Sequence, residues 1–570
     1  MARRLGMQVA VGPVEGPGRA RTRPWQASPW WRGAAALGAG ALPALAFPAP
    51  SWWWCAYAAL VPWLLLARSA PTPGRAALDG WLGGTGYMIA VHHWLFTSLN
   101  VFIVVLGALL GLLWAPWGLL VRALLGGTDG PPRAPRALAA LAVVPSAWLM
   151  VETVRSWQGL GGPWGVLGAS QWQVAPALRL ASVGGVWLVS LVVVGVNVAL
   201  TLLLVSGAAR TAVAVSLVLG AVAVGSVWAW APRPARSGAP ARVAVVQPGI
   251  VSRAPGAPEL RFARSESLTR EVAGRRVDLV VWGESSVTHS FSTHPSLARR
   301  LAAMSRRVGA DVLVNVDAYN RDAAGRAGVF KRSTLIGPRG PVGVTYDKMR
   351  LVPFGEYVPA RALLGWVTSV GRAAGEDRVA GRRQVVMHVP VRGGGTLRVG
   401  PLICFESAFP DMSRNLANDG AQVLVVQSST ASFQDTWAPA QHASLGALRA
   451  AETGRPVVHA TLTGVSAVFG PDGARVGEPL GTDRSASAVF EVPMARGATL
   501  YDRFGDWAVY AASAVVALFC SVRAARAVHS RRIGGGGGGG VGGGWVRRPQ
   551  PAPQAPPVRT AHGSPARPGR

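Results

Sequence analysis

Long apolar runs occupy two parts of the chain and predict membrane-spanning helices there. The runs lie near residues 33–48, 51–67, 80–99, 101–121, 137–155, 181–206, 212–231 and 504–522. The first two are short and interrupted by proline, whereas each of the others can cross a hydrocarbon layer about 30 Å thick. We therefore expect a membrane α-helical bundle of about eight transmembrane helices, with a seven-span domain at 33–231 and an eighth helix at 504–522.

Residues 242–495 follow a different pattern, in which short apolar runs alternate with helix-like, Arg- and Ala-rich stretches. Strand-like runs lie at 243–247, 279–282, 312–316, 334–337, 397–404, 423–427, 457–460 and 466–469. Helix-like stretches lie near 260–274, 295–308 and 438–453. Such alternation is typical of a layered α/β domain, and the segment is long enough to bury its own core.

The two ends of the chain are polar and poor in apolar periodicity. Residues 1–32 carry six arginines and predict a disordered basic leader, and residues 523–570 predict a disordered tail rich in Gly, Pro and Arg. Neither segment can bury a hydrophobic core of its own.

Arginines in the short loops predict the orientation of the spans. They follow the second, fourth and sixth spans, at Arg68, Arg75, Arg122, Arg133, Arg136 and Arg210. The links after the first and third spans carry no charge. Because positively charged loops stay in the cytoplasm, we expect both termini to be cytoplasmic and the 242–495 domain to be extracytoplasmic.

Composition agrees with a membrane protein and disfavours other classes. Charged residues make up 15% of the chain, against roughly a quarter in soluble domains. The net charge of +30 would suit nucleic acid, but more of the excess positive charge lies in the terminal segments and short loops than on the 242–495 domain, where acidic residues offset most of the arginines. The three cysteines are far apart, which argues against a disulfide framework and against a cysteine-based zinc site.

Two residues that follow apolar strands are candidates for chemistry. Cys404 ends the run 399–404, where a turn would present a thiol able to attack a carbonyl as the thiolate, although a buried core cysteine is the commoner outcome. Glu284 follows the run 278–283, where partial burial would raise its pKa towards a value useful for proton transfer. A solvated loop carboxylate is the alternative for Glu284.

Lysine is rare, since only Lys331 and Lys348 occur among 57 basic residues. A lysine that persists in such a chain can mark a site that needs a compact amine in place of a planar guanidinium. Lys348 would lower the pKa of a neighbouring thiol and stabilise an oxyanion. Glu356 could orient Lys348, act as a second acid or form a surface salt bridge. Lys331 is directly followed by Arg332, and we interpret it as a surface cation.

A base, an ammonium and a thiol at the ends of successive α/β units form a plausible site for acyl transfer through a thioester. The motifs around them resemble those of the nitrilase (carbon–nitrogen hydrolase) superfamily: Trp282-Gly-Glu284-Ser, Tyr346-Asp-Lys348, Leu351-Val-Pro-Phe-Gly-Glu-Tyr-Val-Pro359 and Ile403-Cys404-Phe-Glu406. The long motif ending at Pro359, and the position of the domain between seven spans and one, resemble the membrane branch of that superfamily, the apolipoprotein N-acyltransferases.

This resemblance implies a nitrilase-like αββα sandwich on the outer face of the bacterial cytoplasmic membrane. It implies that Cys404 takes an acyl chain from a phospholipid and passes it to the α-amine of a diacylglyceryl-modified lipoprotein cysteine. By the same resemblance Glu284 is the general base, Lys348 stabilises the oxyanion, and Glu356 and Glu406 support the site. We expect a monomer in the bilayer that needs no metal or other cofactor and binds no nucleic acid.

Two stretches depart from the family pattern. Many members have Tyr after the nucleophile, where this chain has Phe405, so any role of that hydroxyl is lost. The stretch 428–433 replaces a common Asn-Asp-x-Trp-Phe segment, which affects the expected substrate loop but not the triad. Two alternatives stay open: a membrane-tethered nitrilase-type amidase, and a scaffold partner of a polyprenol-phosphate mannosyltransferase. Eight spans and the retained Glu284, Lys348 and Cys404 argue against them.

Overall fold

The computed structural model describes residues 29–126, 131–250, 256–322, 324–359, 376–392 and 394–535. Most of the predicted leader (1–32) and of the predicted tail (523–570) lies outside these ranges. The parts that are described differ from the prediction, because the first helix begins at Pro29 and the last continues to Gly535, beyond the predicted end at 522.

Helices make up the first part of the structure. They are α1 (Pro29–Ala41), α2 (Val61–Arg68), α3 (Pro73–Val91), α4 (Phe96–Leu99), α5 (Phe102–Gly111), α6 (Ala115–Leu125), α7 (Ala134–Arg155), α8 (Ala175–Val205) and α9 (Arg210–Trp230). Helices α5 and α6 are joined by a 3₁₀ turn, Leu112–Trp114, and together form one apolar rod.

Five helices of the described chain are long and apolar enough to cross a membrane. They are Phe102–Leu125, Ala134–Arg155, Ala175–Val205, Arg210–Trp230 and Trp507–Ser530. The other three predicted spans, near 33–48, 51–67 and 80–99, coincide with shorter helices that 3₁₀ turns interrupt or extend. Helix α3 also carries Asp79, which is buried and forms salt bridges of 2.8 Å with Arg32 and Arg75.

Small residues and tryptophans pack the helices of this part together. A Cβ atom on Gly40 of α1 or on Gly83 of α3 would collide with the facing helix, so glycine allows the close approach. Trp63 of α2 packs against Trp117 and Trp148 of α6 and α7, with ring centroids 4.9 and 5.7 Å apart. These contacts join the short early helices to the long spans.

The second part of the structure contains two six-stranded sheets. Its strands are β1 (Ala235–Arg236), β2 (Ala241–Gln247), β3 (Leu279–Trp282), β4 (Asp311–Arg321), β5 (Ala327–Gly337), β6 (Gly340–Asp347), β7 (Met387–Pro390), β8 (Thr396–Ile403), β9 (Val423–Ser428), β10 (Val457–Thr461), β11 (Ser466–Phe469), β12 (Arg475–Leu480), β13 (Ala486–Val492) and β14 (Ala495–Arg496). One sheet has the order β13-β2-β3-β4-β5-β6 and the other β12-β11-β10-β9-β8-β7, while β1 pairs with β14.

Apolar side chains pack between the sheets and under the flanking helices, which gives four layers. One core lies between the sheets and includes Val243, Leu279, Val399 and Val423. The outer face of the first sheet packs against α10 (Ala257–Glu271) and α11 (Pro295–Val308). Helices α12 (Pro410–Asn418) and α13 (Ala438–Thr453) cover the second sheet. The predicted αββα sandwich is therefore confirmed.

Two helices complete the described part of the chain, the short α14 (Leu500–Phe504) and the long α15 (Trp507–Gly535). The membrane part and the sandwich are linked by buried polar contacts. At one of them Glu452, at the end of α13, accepts hydrogen bonds from the backbone N–H of Val186 (2.8 Å) and from Arg449 (2.8 Å). Val186 follows Gly185, which adopts φ 69° at a kink in α8. The carboxylate thus satisfies a backbone donor that the kink leaves free.

We predict that Glu452 makes the stability of the protein decrease as pH rises. Burial raises the pKa of Glu452 to about 7, with Arg449 opposing the shift. A carboxyl whose folded pKa exceeds its unfolded value loses stability as pH rises from about 4.5 to about 7. The melting temperature of Glu452→Gln, compared with that of the parent, should therefore rise by a few degrees from pH 5 to pH 8. A difference that does not change with pH would contradict the assignment.

Candidate active site

Three strands end at one edge of the sandwich and place the predicted residues there. Glu284 follows β3 after Gly283, Lys348 follows β6, and Cys404 follows β8. The backbone N–H of Glu284 donates to the carbonyl of Ser428, at the end of β9 in the opposite sheet (3.0 Å). A Cβ atom at Gly283 would collide with the backbone of Leu462, so glycine is required where the two sheets meet.

The ammonium of Lys348 lies between two carboxylates. Its Nζ is 3.0 Å from Glu284 Oε1 and 2.8 Å from Glu356 Oε1, and the side chain is only 1% exposed. Glu356 also accepts a hydrogen bond from the N–H of Val352 through its Oε2 (2.9 Å). Of the three roles open to Glu356, the geometry favours orientation of Lys348, and the surface salt bridge is wrong because the pair is buried.

The interpretation of Lys331 as a surface cation is wrong. Its side chain is 13% exposed, and its Nζ lies 2.8 Å from Glu284 Oε1 and 3.1 Å from Glu356 Oε1. The neighbouring Arg332 pairs with Asp347 instead, at 2.6 Å. Alternate residues of a strand face opposite sides, so the arginine beside Lys331 gave no information about where the lysine points.

Opposite charges control the titration of the carboxylates. Burial alone would raise the pKa of Glu284, but the ammonium groups of Lys331 and Lys348 outweigh burial and lower it to about 2. Burial alone would also raise the pKa of Glu356, but Lys348 and Lys331 outweigh burial and lower it. Both carboxylates are therefore ionised at neutral pH, which differs from the raised pKa that the sequence alone suggested for Glu284.

Cys404 occupies the turn that leaves β8. Its φ of 52° lies in the left-handed region, which side chains other than glycine adopt rarely. The side chain is partly exposed. Burial raises the pKa of the thiol to about 12, Glu284 adds to the shift, and Lys348 opposes it. At neutral pH the thiol is thus protonated in the presence of the ionised carboxylate of Glu284.

Glu406 connects the cysteine turn to the lysine segment. Its Oε1 accepts hydrogen bonds from the Tyr346 hydroxyl (2.7 Å) and the N–H of Met349 (2.7 Å), and its Oε2 accepts from the N–H of Ile403 (2.7 Å). Burial raises the pKa of Glu406. The carboxyl is therefore placed to hold two loops in register.

His442 contacts the backbone of Cys404, which the sequence did not predict. Its Nε2 lies 2.9 Å from the carbonyl oxygen of Cys404, and its Nδ1 lies 3.0 Å from the hydroxyl of Ser428. The bond to a carbonyl requires a proton on Nε2, so Nδ1 accepts from Ser428. Burial lowers the pKa of His442 to about 4, and the ring is neutral at pH 7. The signal that the sequence offered for His442 was its position directly after Gln441, near the start of the helix-like stretch 438–453.

Loops of the membrane part reach this edge of the sandwich. Trp94 and Trp164 donate to the side-chain oxygen of Gln441, at 3.2 and 2.9 Å. Phe405 packs edge-on against Phe409, with ring centroids 5.0 Å apart. Phe433, in the stretch 428–433 that departs from the family pattern, packs against Trp94 at 4.9 Å. A Cβ atom at Gly162, in a loop of the membrane part, would lie 2.8 Å from the Phe405 ring, so both positions that depart from the pattern face the membrane part.

Comparison with protein families matches both parts of the chain. The model of the apolipoprotein N-acyltransferase N-terminal domain matches residues 39–199, and the carbon-nitrogen hydrolase model matches residues 242–499. The apolipoprotein N-acyltransferase of Geobacter metallireducens is 30% identical over 506 residues, which cover 84% of this chain and 93% of the relative. That of Gloeobacter violaceus is 31% identical over 514 residues, covering 85% and 92%.

Two solved structures are similar to part of the chain. A cysteine-to-alanine mutant of the Nesterenkonia amidase from the nitrilase superfamily is 19% identical, with a TM-score of 0.31, and covers 46% of this chain and 93% of that chain. A CN-hydrolase superfamily protein from Xanthomonas campestris is 19% identical, with a TM-score of 0.33, and covers 46% and 95%.

We predict that Cys404 reacts slowly with iodoacetamide at neutral pH in the absence of lipid. Because only the thiolate reacts, the alkylation rate should rise about tenfold per pH unit and show no plateau up to pH 9.5. Peptide mass spectrometry restricts the measurement to Cys404 and excludes Cys55 and Cys520. Free N-acetylcysteine, with a thiol pKa of about 8.5, is the control that should level off. A plateau for Cys404 below pH 9 would contradict the raised pKa.

Proposed function

Since the chain belongs to the apolipoprotein N-acyltransferase family, we propose that Glu284, Lys348 and Cys404 carry out its acyl transfer. The protein is an acyltransferase that acts at a membrane in the last step of lipoprotein maturation. The observation that carries the assignment of the triad is the ammonium of Lys348, fixed between two carboxylates at the edge where Cys404 leaves its strand.

In the first half-reaction, Cys404 takes an acyl chain from a phospholipid ester. Sγ attacks the ester carbonyl carbon while Glu284 accepts the thiol proton. The resulting oxyanion is stabilised by the ammonium of Lys348. The C–O bond to the glycerol backbone then breaks, and Glu284 returns the proton to the departing alkoxide. The products are an acyl thioester on Cys404 and a lysophospholipid.

In the second half-reaction, the α-amine of the diacylglyceryl cysteine attacks the thioester carbonyl. Glu284 accepts a proton from the amine, Lys348 again holds the oxyanion, and the C–S bond breaks. The proton passes to the departing thiolate, which restores Cys404. The new bond is an amide, so the acyl chain leaves the enzyme on the lipoprotein.

The raised thiol pKa and the lowered Glu284 pKa fit a concerted proton transfer. Full transfer of the proton to Glu284 before attack would be strongly unfavourable, since the pKa values are about 12 and about 2. Once Sγ bonds to carbon, the negative charge moves to the carbonyl oxygen. A charge on that oxygen is stabilised where Lys348 can reach it.

The contacts between the membrane part and the site support a phospholipid as the acyl donor. Trp94 and Trp164, from the membrane part, bind Gln441, which precedes the histidine that holds the Cys404 carbonyl. The nucleophile is thus close to loops that emerge from apolar helices.

All three proposed catalytic groups come from one chain, so we propose that a monomer is sufficient for activity.

We propose eight spans, with both termini cytoplasmic and the sandwich on the extracytoplasmic face. The five long apolar helices and the arginines of the loops support this orientation. In domain terms, the seven-span part is 33–231, the sandwich 242–495, and the eighth span begins near 507. The tethered amidase and the mannosyltransferase scaffold are not favoured by the family membership.

The thioester predicts a specific mass change. The purified protein incubated with phosphatidylethanolamine vesicles should gain the mass of one acyl chain, and neutral hydroxylamine should remove it. Cys404→Ala should abolish the adduct, whereas the matched controls Cys55→Ala and Cys520→Ala should retain it. Intact-mass spectrometry provides the measurement, and an adduct that survives in Cys404→Ala would rule out this nucleophile.

Loss of the ammonium should slow both half-reactions. We expect Lys348→Met to lower the rate of thioester formation by about 10²–10³-fold, the usual loss when one oxyanion donor is removed. The rate of adduct formation at fixed lipid concentration provides the measurement. A loss smaller than about tenfold would contradict the proposed oxyanion role.

The proposed topology can be tested with fusions. Alkaline phosphatase is active only outside the cytoplasm and green fluorescent protein folds mainly inside it. A phosphatase fused after residue 240 should be active, and a fluorescent protein fused after residue 570 should fluoresce. The opposite pair of results would reverse the orientation.

A further inference from the structure

Lys331 is a second buried ammonium in the site, and the reaction proposed above does not use it. It lies in β5, and its Nζ contacts Glu284 Oε1 at 2.8 Å and Glu356 Oε1 at 3.1 Å. The backbone N–H of Lys348 donates to the carbonyl oxygen of Lys331 at 2.9 Å. Both lysines of the chain therefore stand side by side at the same two carboxylates.

The four groups form a ring of alternating charge. Each carboxylate oxygen, Glu284 Oε1 and Glu356 Oε1, is within 3.1 Å of both ammonium nitrogens. Two positive and two negative charges make the ring neutral. Without Lys331, two buried carboxylates would share one ammonium, and like charges at such a distance raise the pKa of one of them.

Other titratable or charged groups face the ring from neighbouring elements, among them the neutral imidazole of His442 from α13. Asp317 of β4, opposite Lys331 in the sheet, lies 3.9 Å from its Nζ and 3.4 Å from Arg378 Nε. The thiol of Cys404 approaches from β8. Arg332, next to Lys331 in β5, is paired with Asp347 on the other side of the strand.

A lysine at this position is not a product of composition. All but two of the 57 basic residues are arginine, and a guanidinium is planar and broader than an ammonium. The cation at this position lies between one oxygen atom of Glu284 and one oxygen atom of Glu356, which suits a compact ammonium.

We propose that Lys331 is a positioning residue that keeps Glu284 ionised and fixed as the base for Cys404. The proposal rests on the base role given to Glu284 above. Lys331 does not touch the acyl group. It acts through Glu284, by stabilising the carboxylate in the resting enzyme and by neutralising the second carboxylate, Glu356.

The proposal predicts how the pH dependence of the enzyme changes. A base must be unprotonated to act, so the rate falls as pH drops through its pKa. In the parent the pKa of Glu284 is about 2, and kcat/KM should not decrease through protonation of Glu284 between pH 8 and pH 5. In Lys331→Met the pKa of Glu284 rises, and kcat/KM should fall at least about twofold over the same range, the loss expected once that pKa reaches about 5.

Two variants serve as controls for this profile. Lys331→Arg keeps the positive charge, so the fall of kcat/KM at low pH (the acidic limb of the profile) should stay near that of the parent. This holds even where the bulk of the arginine lowers the rate. Arg332→Met removes the adjacent cation, which faces Asp347, and its acidic limb should match the parent. An acidic limb in Lys331→Met that coincides with the parent's would overturn the proposal.

A second measurement does not depend on acyl transfer. With Lys331 removed, the folded protein contains an excess buried carboxylate charge, which protonation relieves as pH falls. The melting temperature of Lys331→Met should therefore lie farthest below the parent at pH 8, and the difference should shrink towards pH 4.5. Lys331→Arg and Arg332→Met should show no such narrowing.

The two measurements separate the possible failures. A temperature difference that is constant with pH means that Lys331 only fills space, and the proposal is then wrong. A narrowing difference combined with an unchanged acidic limb means that Lys331 controls the charge of the ring but not the ionisation of the base, because Glu356 takes up the proton or Glu284 is not the base. That outcome overturns the positioning role, whereas the Cys404 thioester would stand on its own test.

Discussion

The burial of four charged groups at the meeting edge of two sheets is the constraint on which the site depends. Taking an isolated charge out of water costs several kcal/mol, so Glu284, Glu356, Lys331 and Lys348 are stable there only as a set. Their placement requires side chains from the end of β3, the middle of β5 and the segment after β6 to converge within hydrogen-bond distance. The surrounding polar contacts supply that precision: Glu406 fixes the segment after β6 to the cysteine turn, and the Glu284 backbone is bound to Ser428 of the opposite sheet.

A chain of contacts connects this buried charge to the membrane part. Trp94 and Trp164 bind Gln441, the next residue His442 binds the carbonyl of Cys404, and the same ring binds Ser428. The imidazole of His442 is neutral, so this series of contacts adds no net charge to the site. The charges of the two lysines and the two glutamates there already cancel. These contacts therefore connect the tryptophans of the membrane part to the backbone of Cys404.

The sequence predicted the strands that are buried and missed those that are not. Strands β3, β8, β9 and β10 are mostly apolar, and the three catalytic candidates could be placed because Glu284 and Cys404 follow such strands and Lys348 begins a long motif. Strands β6, β7, β12 and β13 were missed because polar, glycine and proline residues interrupt their outer faces. Lys331 was misjudged for a related reason. Its partners, Glu284 and Glu356, are distant in the chain, and only the pairing of β4, β5 and β6 brings them together.

The contrast between the two lysines and the many arginines is best explained by what each cation must do. Arg449 forms a buried pair with Glu452 through Nε and a terminal nitrogen, a two-point contact suited to a guanidinium. In the ring, each ammonium instead meets two oxygen atoms that belong to different carboxylates. Lys348 must also be able to turn towards a new oxyanion while Glu284 takes up a proton. If Lys331 stays with Glu356 at that moment, the second carboxylate remains neutralised, and the charge of Lys348 is available to the reacting carbonyl. A single lysine could not satisfy both demands at once.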